Sequence, residues 1–205
     1  MGIAFLEDTR AGIMSGGEFR VFQDSRPDRE RWELIGGVPI MMAPATVVHN
    51  SIADNLCALL NRALKQHRPS IRAVSRFGIE LNTNSYKPEP DVGVIDKGFS
   101  AGQRFIERAY LLAEVVSSTD GMLVPGHPAR WIDVKREIYL AHEPCEAILI
   151  IEQDRIEVRL DLRVAGEWQS DVLTKPEALL VLPSFGLNCA VSDLYEGTPL
   201  ESDAS

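Results

Sequence analysis

The chain has 205 residues, 45% of them hydrophobic and 25% charged, with a formal net charge of −9. This is the size of one domain with short extensions and the composition of an ordinary soluble globular protein. The acidic balance argues against a nonspecific nucleic-acid coat protein but not against a local basic groove; with no apolar run near membrane-spanning length and no basic stretch ahead of an apolar core at the N-terminus, the chain reads as cytoplasmic with no membrane partner.

Residues 1–17 are weakly patterned and expected to be a loose N-terminal segment. Phe19 and Phe22 share a helical spacing within Glu18 to Asp24, and Pro27 ends that element. Trp32 to Ile35, Gly36-Gly37 and Val38 to Met42 read as a hairpin. Pro44 and Thr46 then open a helix whose apolar face is Val48, Ile52, Leu56, Leu59, Leu60 and Ala63, bounded beyond its end by Pro69. Arg62, Lys65, Arg68, Arg72 and Arg76 follow one another with no acid among them. They are either a solvated helix end whose cations suit the dipole or a face that tracks phosphates. Phe77 to Leu81 is an expected strand, and Asn82 to Tyr86 a turn.

The stretch from Lys87 to Ser117 carries the chemistry. Pro88-Glu89-Pro90-Asp91-Val92-Gly93-Val94-Ile95 and Ala109 to Ser117 are two short aliphatic runs, each interrupted by one acid. Both read as buried strands. Pro90 suits a strand's first position, where no ladder donor is needed, so Asp91 sits at the strand mouth. Glu114 lies inside its run behind Leu111, Leu112 and Ala113. An ionised carboxylate there costs several kcal/mol unless it is paired or binds a cation. Two such acids on adjacent strands would make a site for a hard cation.

A loop from Ser118 to Pro128 follows, then a helix expected from Pro128 to about His142, with Trp131, Lys135 and Tyr139 on one face. Ala147 to Ile151 is a buried strand. Ile156 to Leu160 alternates with one wet face, Gly166 to Gln169 and Ala178 to Leu182 continue an antiparallel extension, Ala190 to Tyr195 is a short closing helix, and residues 198–205 are expected to fray. Cys57, Cys145 and Cys189 are odd in number, far apart and without metal-ligand spacing, and read as buried thiols. Each candidate also has an ordinary structural reading: Asp91 as a turn cap, Glu114 as the partner of an arginine, Lys135 as a surface lysine, Tyr139 as core. His49 near a helix start, and Glu33 and Glu80 in strand context, are weaker candidates.

Pro90-Asp91 with Glu114 on the next strand resembles the PD-(D/E)XK nuclease superfamily. In detail the chain is similar to the bacterial Uma-two family of restriction-endonuclease-like proteins. The matching pieces are Trp32-Glu33-Leu34-Ile35, Met42-Ala43-Pro44 with His49 following, Pro88 to Val92, Glu114 to Ser117, and Lys135 to Tyr139, within residues 18 to 197. Three departures stand out. Gly36 replaces a more usual aspartate, Val116 occupies the superfamily's lysine position, and Trp131 falls where an aspartate is often seen. The resemblance implies that Lys135, on the following helix, supplies the lysine instead.

The expectation is an α/β fold: a restriction-endonuclease-like core with a mixed sheet flanked by helices and an antiparallel β extension, one nuclease domain over residues 18–197. The resemblance implies a metal-dependent endonuclease hydrolysing DNA phosphodiester bonds. Asp91 and Glu114 would ligate Mg²⁺ (or Mn²⁺), helped by a backbone carbonyl such as that of Val115. Lys135 would be catalytic, and His49, Glu33 and Tyr139 would support the site or face substrate. DNA is the implied partner, and a homodimer is left open. The competing reading is a catalytically degenerate member of the fold that binds nucleic acid or protein.

Overall fold

The computed structural model describes residues 13–27, 29–81, 85–124 and 128–204. Most of the expected loose segment 1–17, the Asn82–Asn84 part of the expected turn, and residues 125–127 of the long loop lie outside them. Helix α1 (Gly16–Asp24) begins two residues earlier than expected, because Ser15 and Glu18 form a reciprocal capping box. The hairpin β1 (Trp32–Ile35) and β2 (Val38–Met41) turns on Gly36 and Gly37, both at positive φ (60° and 78°). Such a turn favours glycine, so the absence of an aspartate at position 36 costs the hairpin nothing. Helix α2 (Val47–His67) is capped by the Thr46 hydroxyl, as expected. Its buried face is Ile52, Ala53, Leu56, Leu60 and Leu64, with Val48, Leu59 and Ala63 half-buried at its edges.

Next come β3 (Ile71–Ser75), the short β4 (Gly78–Ile79), β5 (Val92–Asp96), β6 (Phe105–Ile106) and β7 (Ala109–Val116). Helix α3 (Trp131–Leu140) is followed by β8 (Ala147–Glu152), β9 (Val158–Val164), β10 (Glu167–Leu173), β11 (Leu179–Leu182) and β12 (Leu187–Ala190). Six strands form the central sheet in the order β10-β9-β8-β7-β5-β3. The β7–β8 pair is parallel and the other neighbours are antiparallel.

Alternation along β7 directs Leu111, Ala113 and Val115 into the core under α2, and Leu112 and Val116 into the core under α3. Glu114 has the parity of the α3 face. All eight residues of β7 are buried, as the continuous aliphatic run predicts for a central strand.

Several local expectations change. The stretch Ile71–Ser75, read as part of a basic segment, is an edge strand whose Ile71 and Ala73 are buried. Its outward Ala73 N–H and C=O are both taken by the Asn61 carboxamide of α2, at 3.0 Å each. Helix α3 starts at Trp131, because the Asp133 carboxylate accepts hydrogen bonds from the backbone and guanidinium of Arg130; Pro128 stands outside it. The strand expected over Phe77 to Leu81 shrinks to β4, which pairs with β6. β9 starts two residues later than expected and runs on to Val164. β11 pairs with β12 in a separate two-stranded sheet instead of extending the central one. Residues Pro199–Ala204, expected to fray, form a 3-10 turn after a buried Thr198. Among the described residues no helix is long and apolar enough to cross a membrane.

Candidate active site

Val92 of β5 pairs with Ala113 of β7. One residue further out, Asp91 lies opposite Glu114, so the sheet itself brings the two acids together. The Asp91 Oδ2 accepts the Val115 N–H at 2.9 Å and lies 3.1 Å from His49 Nε2. Both carboxylates are buried, with 6% exposure at Asp91 and 2% at Glu114. His49 is held in place because its own N–H caps onto Thr46 Oγ1 at 3.0 Å in the first turn of α2. Thr46 Oγ1 also donates to Gln153 Oε1, and Gln153 Nε2 donates to the Val116 carbonyl. The N-terminus of α2 is thereby tied to the outer end of β7. His49 Nδ1 is buried with no hydrogen-bond partner among the described residues.

From the other side, α3 delivers Lys135 and Tyr139 four residues apart on one face, as the spacing predicts. The Tyr139 hydroxyl donates to Glu114 Oε1. The Lys135 ammonium, 1% exposed as a residue, donates to Glu114 Oε2 at 3.3 Å. It is also 2.8 Å from Glu33 Oε2 and 3.0 Å from Asp120 Oδ1. These two contacts are shorter still and complete a set of three ion pairs. Glu33 comes from β1, and its Oε1 accepts the Glu89 N–H at 2.8 Å.

Asp120 is the site residue that sequence reading missed. It sits in the loop after β7, where Ser117 N–H and Oγ both donate to its Oδ2, at 3.0 and 2.5 Å. Its carbonyl accepts the Ile132 N–H at 3.0 Å, fastening the loop to the start of α3. The available signal was the Ser117-x-x-Asp120 spacing, which supports a reciprocal turn of this kind. Glu80, the other weak candidate, pairs with Lys87 and Arg20 instead. Of the basic segment, Arg68 pairs with Glu146 at 2.9 Å and stacks over Tyr110 and Phe185. Arg76 bonds Asn50, and its N–H donates to the Asp91 carbonyl at 3.3 Å. Arg62, Lys65 and Arg72 are exposed. The three cysteines are free thiols; Cys145 and Cys189 are buried and Cys57 is half-buried.

The electrostatics follow from four buried carboxylates around one ammonium. Burial pushes Glu114 well above the usual carboxylate range; Lys135 pulls it back only partly, and Asp91, Glu33 and Asp120 add to the rise. Burial likewise raises Glu33, against the pull of Lys135. At Asp120 burial is the largest single effect, but the Lys135 charge and the Ser117 hydrogen bonds outweigh it, and the group is held below its ordinary value. Burial opposes the charge on Lys135, yet Asp120, Glu114 and Glu33 together raise it well above the usual lysine range, so it is a fixed cation. Burial, then Glu114, pushes the Tyr139 hydroxyl well up, so it stays a donor.

With all four acids ionised and Lys135 charged, the cluster carries three excess negative charges, which one divalent cation would largely offset. The donors are hard carboxylate oxygens, the type that Mg²⁺ and Mn²⁺ take, and Mg²⁺ needs only one or two protein carboxylates. Among the described residues no three acid, histidine or cysteine side chains form a ready-made metal group. Asp91 and Glu114 would offer such a cation two carboxylates, with both Glu114 oxygens also contacted by Lys135 and Tyr139. The cavity they line holds about 10 Å³, the room of roughly one water molecule.

The fold is similar to that of a crystal structure described as "a putative nuclease belonging to DUF820" from Anabaena variabilis ATCC 29413. The two share 20% sequence identity and a TM-score of 0.65, over 89% of this chain and 97% of the other. No curated protein matches the chain by sequence comparison. Residues 18–192 match the Uma2 family, described as "putative restriction endonuclease". This span runs from α1 to beyond β12 and includes every residue of the acid cluster. The chain belongs to the Uma2 family, the Uma-two family that its Pro90-Asp91, Glu114 and Lys135 resemble.

Proposed function

We propose that the chain is a metal-dependent endonuclease that hydrolyses phosphodiester bonds of DNA. Asp91 and Glu114 hold Mg²⁺ or Mn²⁺, and Lys135 is the catalytic cation. The observation that supports this most is the Lys135 ammonium. It reaches across from α3, fully buried, to Glu114 on the strand next to Asp91. A divalent cation there supplies Lewis-acid polarisation of a phosphoryl oxygen and a more acidic water. The chain's own residues position and balance charge. Glu33 and Asp120 fix the ammonium, which is then preorganised toward negative charge developing on the phosphate oxygens. His49 and the Val115 N–H orient the Asp91 carboxylate, and Tyr139 holds one oxygen of Glu114.

The test is cleavage of supercoiled plasmid and of single-stranded DNA with Mg²⁺ or Mn²⁺, against an EDTA control. The expected result is cleavage that needs metal and disappears in Asp91→Asn. The same variant should lose the metal-induced rise in melting temperature, since a ligand specific to the folded state stabilises it. A second reading has an observation in its favour: the small cavity and the threefold hold on Lys135 suit a degenerate site that binds without cutting. DNA binding by the folded protein, with no cleavage in either metal, would select that reading.

A further inference from the structure

The wall that a phosphodiester would approach is acidic, and its one buried ammonium is already committed to three carboxylates. One other permanent cation lines the same cavity: Arg31, on the residue before β1. Its carbonyl accepts the Met42 N–H at 2.9 Å, so the backbone beneath the side chain is fixed at the open end of the hairpin. The side chain is 29% exposed, and its guanidinium is ion-paired loosely with Glu89, whose Oε2 is 3.7 Å from Nε, outside hydrogen-bond distance. Among the described residues it makes no hydrogen bond. Arg130, at the N-cap of α3, and Arg136 within it are both bonded to carboxylates.

A part-exposed guanidinium with one loose ion pair and no hydrogen bond, at the rim of an acidic cavity, has the geometry an incoming phosphate needs. Its planar fork donates two parallel hydrogen bonds to non-bridging oxygens, and its charge persists at any working pH. We propose that Arg31 is the phosphate-gripping residue of the site, binding the DNA backbone beside Asp91 and Glu114. This rests on the nuclease reading and assigns a substrate contact within it. Lys135, held in place by Glu33, Glu114 and Asp120, serves the charge that develops at the reacting phosphate, so gripping the backbone in the ground state falls to a cation that is less tightly held. The Arg31–Glu89 ion pair is loose, at 3.7 Å and without a hydrogen bond, and it leaves the donors of the fork available to a phosphate.

The experiment measures Kd for a fluorescently labelled DNA duplex by anisotropy in EDTA across a salt series, and KM for cleavage in Mg²⁺. Arg31→Ala should raise Kd and KM by roughly tenfold or more, as for loss of a charged hydrogen-bonding contact. It should also reduce the salt slope of binding by about 0.9, the share of one phosphate contact. Arg31→Lys should keep the salt slope but recover only part of the affinity, because a point charge replaces a fork. Glu89→Gln separates binding from structure: with the guanidinium freed of its one nearby acid, Kd should fall or stay level. A tenfold rise in Kd for Glu89→Gln, matching Arg31→Ala, would make the pair structural and overturn the proposal. So would an Arg31→Ala protein that binds at the parent's affinity and salt slope. A parent that neither binds nor cleaves DNA would overturn the nuclease reading, and the phosphate grip with it.

Discussion

Replacing Glu114 by glutamine, measured without metal, tests whether its charge is a structural asset or a liability that a cation must relieve. The favourable contact is with Lys135 at 3.3 Å, worth ~5 kcal/mol at an effective dielectric of 20. Glu33 and Asp120 lie 2.8 and 3.0 Å from the same ammonium. Their oxygens are therefore no more than about 6 Å from Glu114 Oε2, and each repels it by at least ~2.5 kcal/mol on the same basis. These two repulsions already cancel the attraction before Asp91 and burial are added. Glutamine removes the charge, keeps an oxygen for the Tyr139 hydroxyl, and leaves Lys135 paired with Glu33 and Asp120. In EDTA, Glu114→Gln should be as stable as the parent or more so, by ~0–3 kcal/mol in urea melts.

The pH dependence has a definite sign. The folded pKa of Glu114 is raised above its ordinary 4.5 by burial, so the folded state takes up this proton more readily than the unfolded one. Stability of the metal-free parent therefore rises as pH falls from the raised value toward 4.5, and Glu114→Gln should flatten that rise. A loss of ~3–5 kcal/mol in Glu114→Gln, the scale for breaking a buried structural pair, would refute the reasoning.

Lys135→Met should destabilise the metal-free protein by ~3–5 kcal/mol, because it leaves Glu33, Glu114 and Asp120 buried without their shared cation. Its cleavage rate, measured on the folded fraction, should drop about a hundredfold or more. Urea melts and single-turnover rates check both, and a fully active variant would remove Lys135 from the mechanism. Asn61→Ala should cost ~1–2 kcal/mol by uncovering the Ala73 N–H and C=O at the β3 edge, read by chemical denaturation, and should leave metal binding unchanged. In the Lys135→Met background, Val116→Lys should restore part of the cleavage; complete absence of rescue would show that the route of delivery matters as well as the charge.

The elements legible in the sequence are those where one face decides everything. β7, buried throughout, and β8, buried as far as Ile151, stand out as aliphatic runs, and an acid inside such a run is visible because nothing else there is polar. The face shared by Trp131, Lys135 and Tyr139 follows from helical spacing alone. By contrast, β3 hid behind Arg72 and Arg76. An edge strand with one wet side and only two fully buried residues leaves little periodic signal, and what stabilises its edge is an asparagine on another element. Asp120 was invisible for a related reason. It lies in a Ser- and Gly-containing loop, the expected setting for solvated acids, and beyond its local Ser117 hydrogen bonds it is the Ile132 N–H and the Lys135 charge, both from a later element, that hold it inside. Glu33 had strand context and nothing more, since its role depends on a helix about a hundred residues later. Local pattern thus reveals burial, but which buried charges meet is set by topology.

That distinction bears on the proposal that Lys135 stands in for a lysine on the strand. Val116 is two residues beyond Glu114 on β7 and shares its α3-facing side, as strand alternation requires. A lysine at 116 would project from the same strand toward the same acids. Lys135 reaches them from the opposite direction, its backbone on α3 and its ammonium among Glu33, Glu114 and Asp120. The requirement common to both routes is a cation beside Glu114, and the acids define that point whichever backbone supplies the charge. Val116 can then be apolar because α3 covers it, with Ile132 and Ile138 packed in the same core. The route from α3 adds one constraint: the helix must be anchored at the end nearest Asp120. The Asp120 carbonyl bonded to Ile132 and the Asp133 clamp on Arg130 supply that anchor. A lysine borne on the strand would need neither, so the capped start of α3 and the buried Asp120 belong to one solution of the same electrostatic problem.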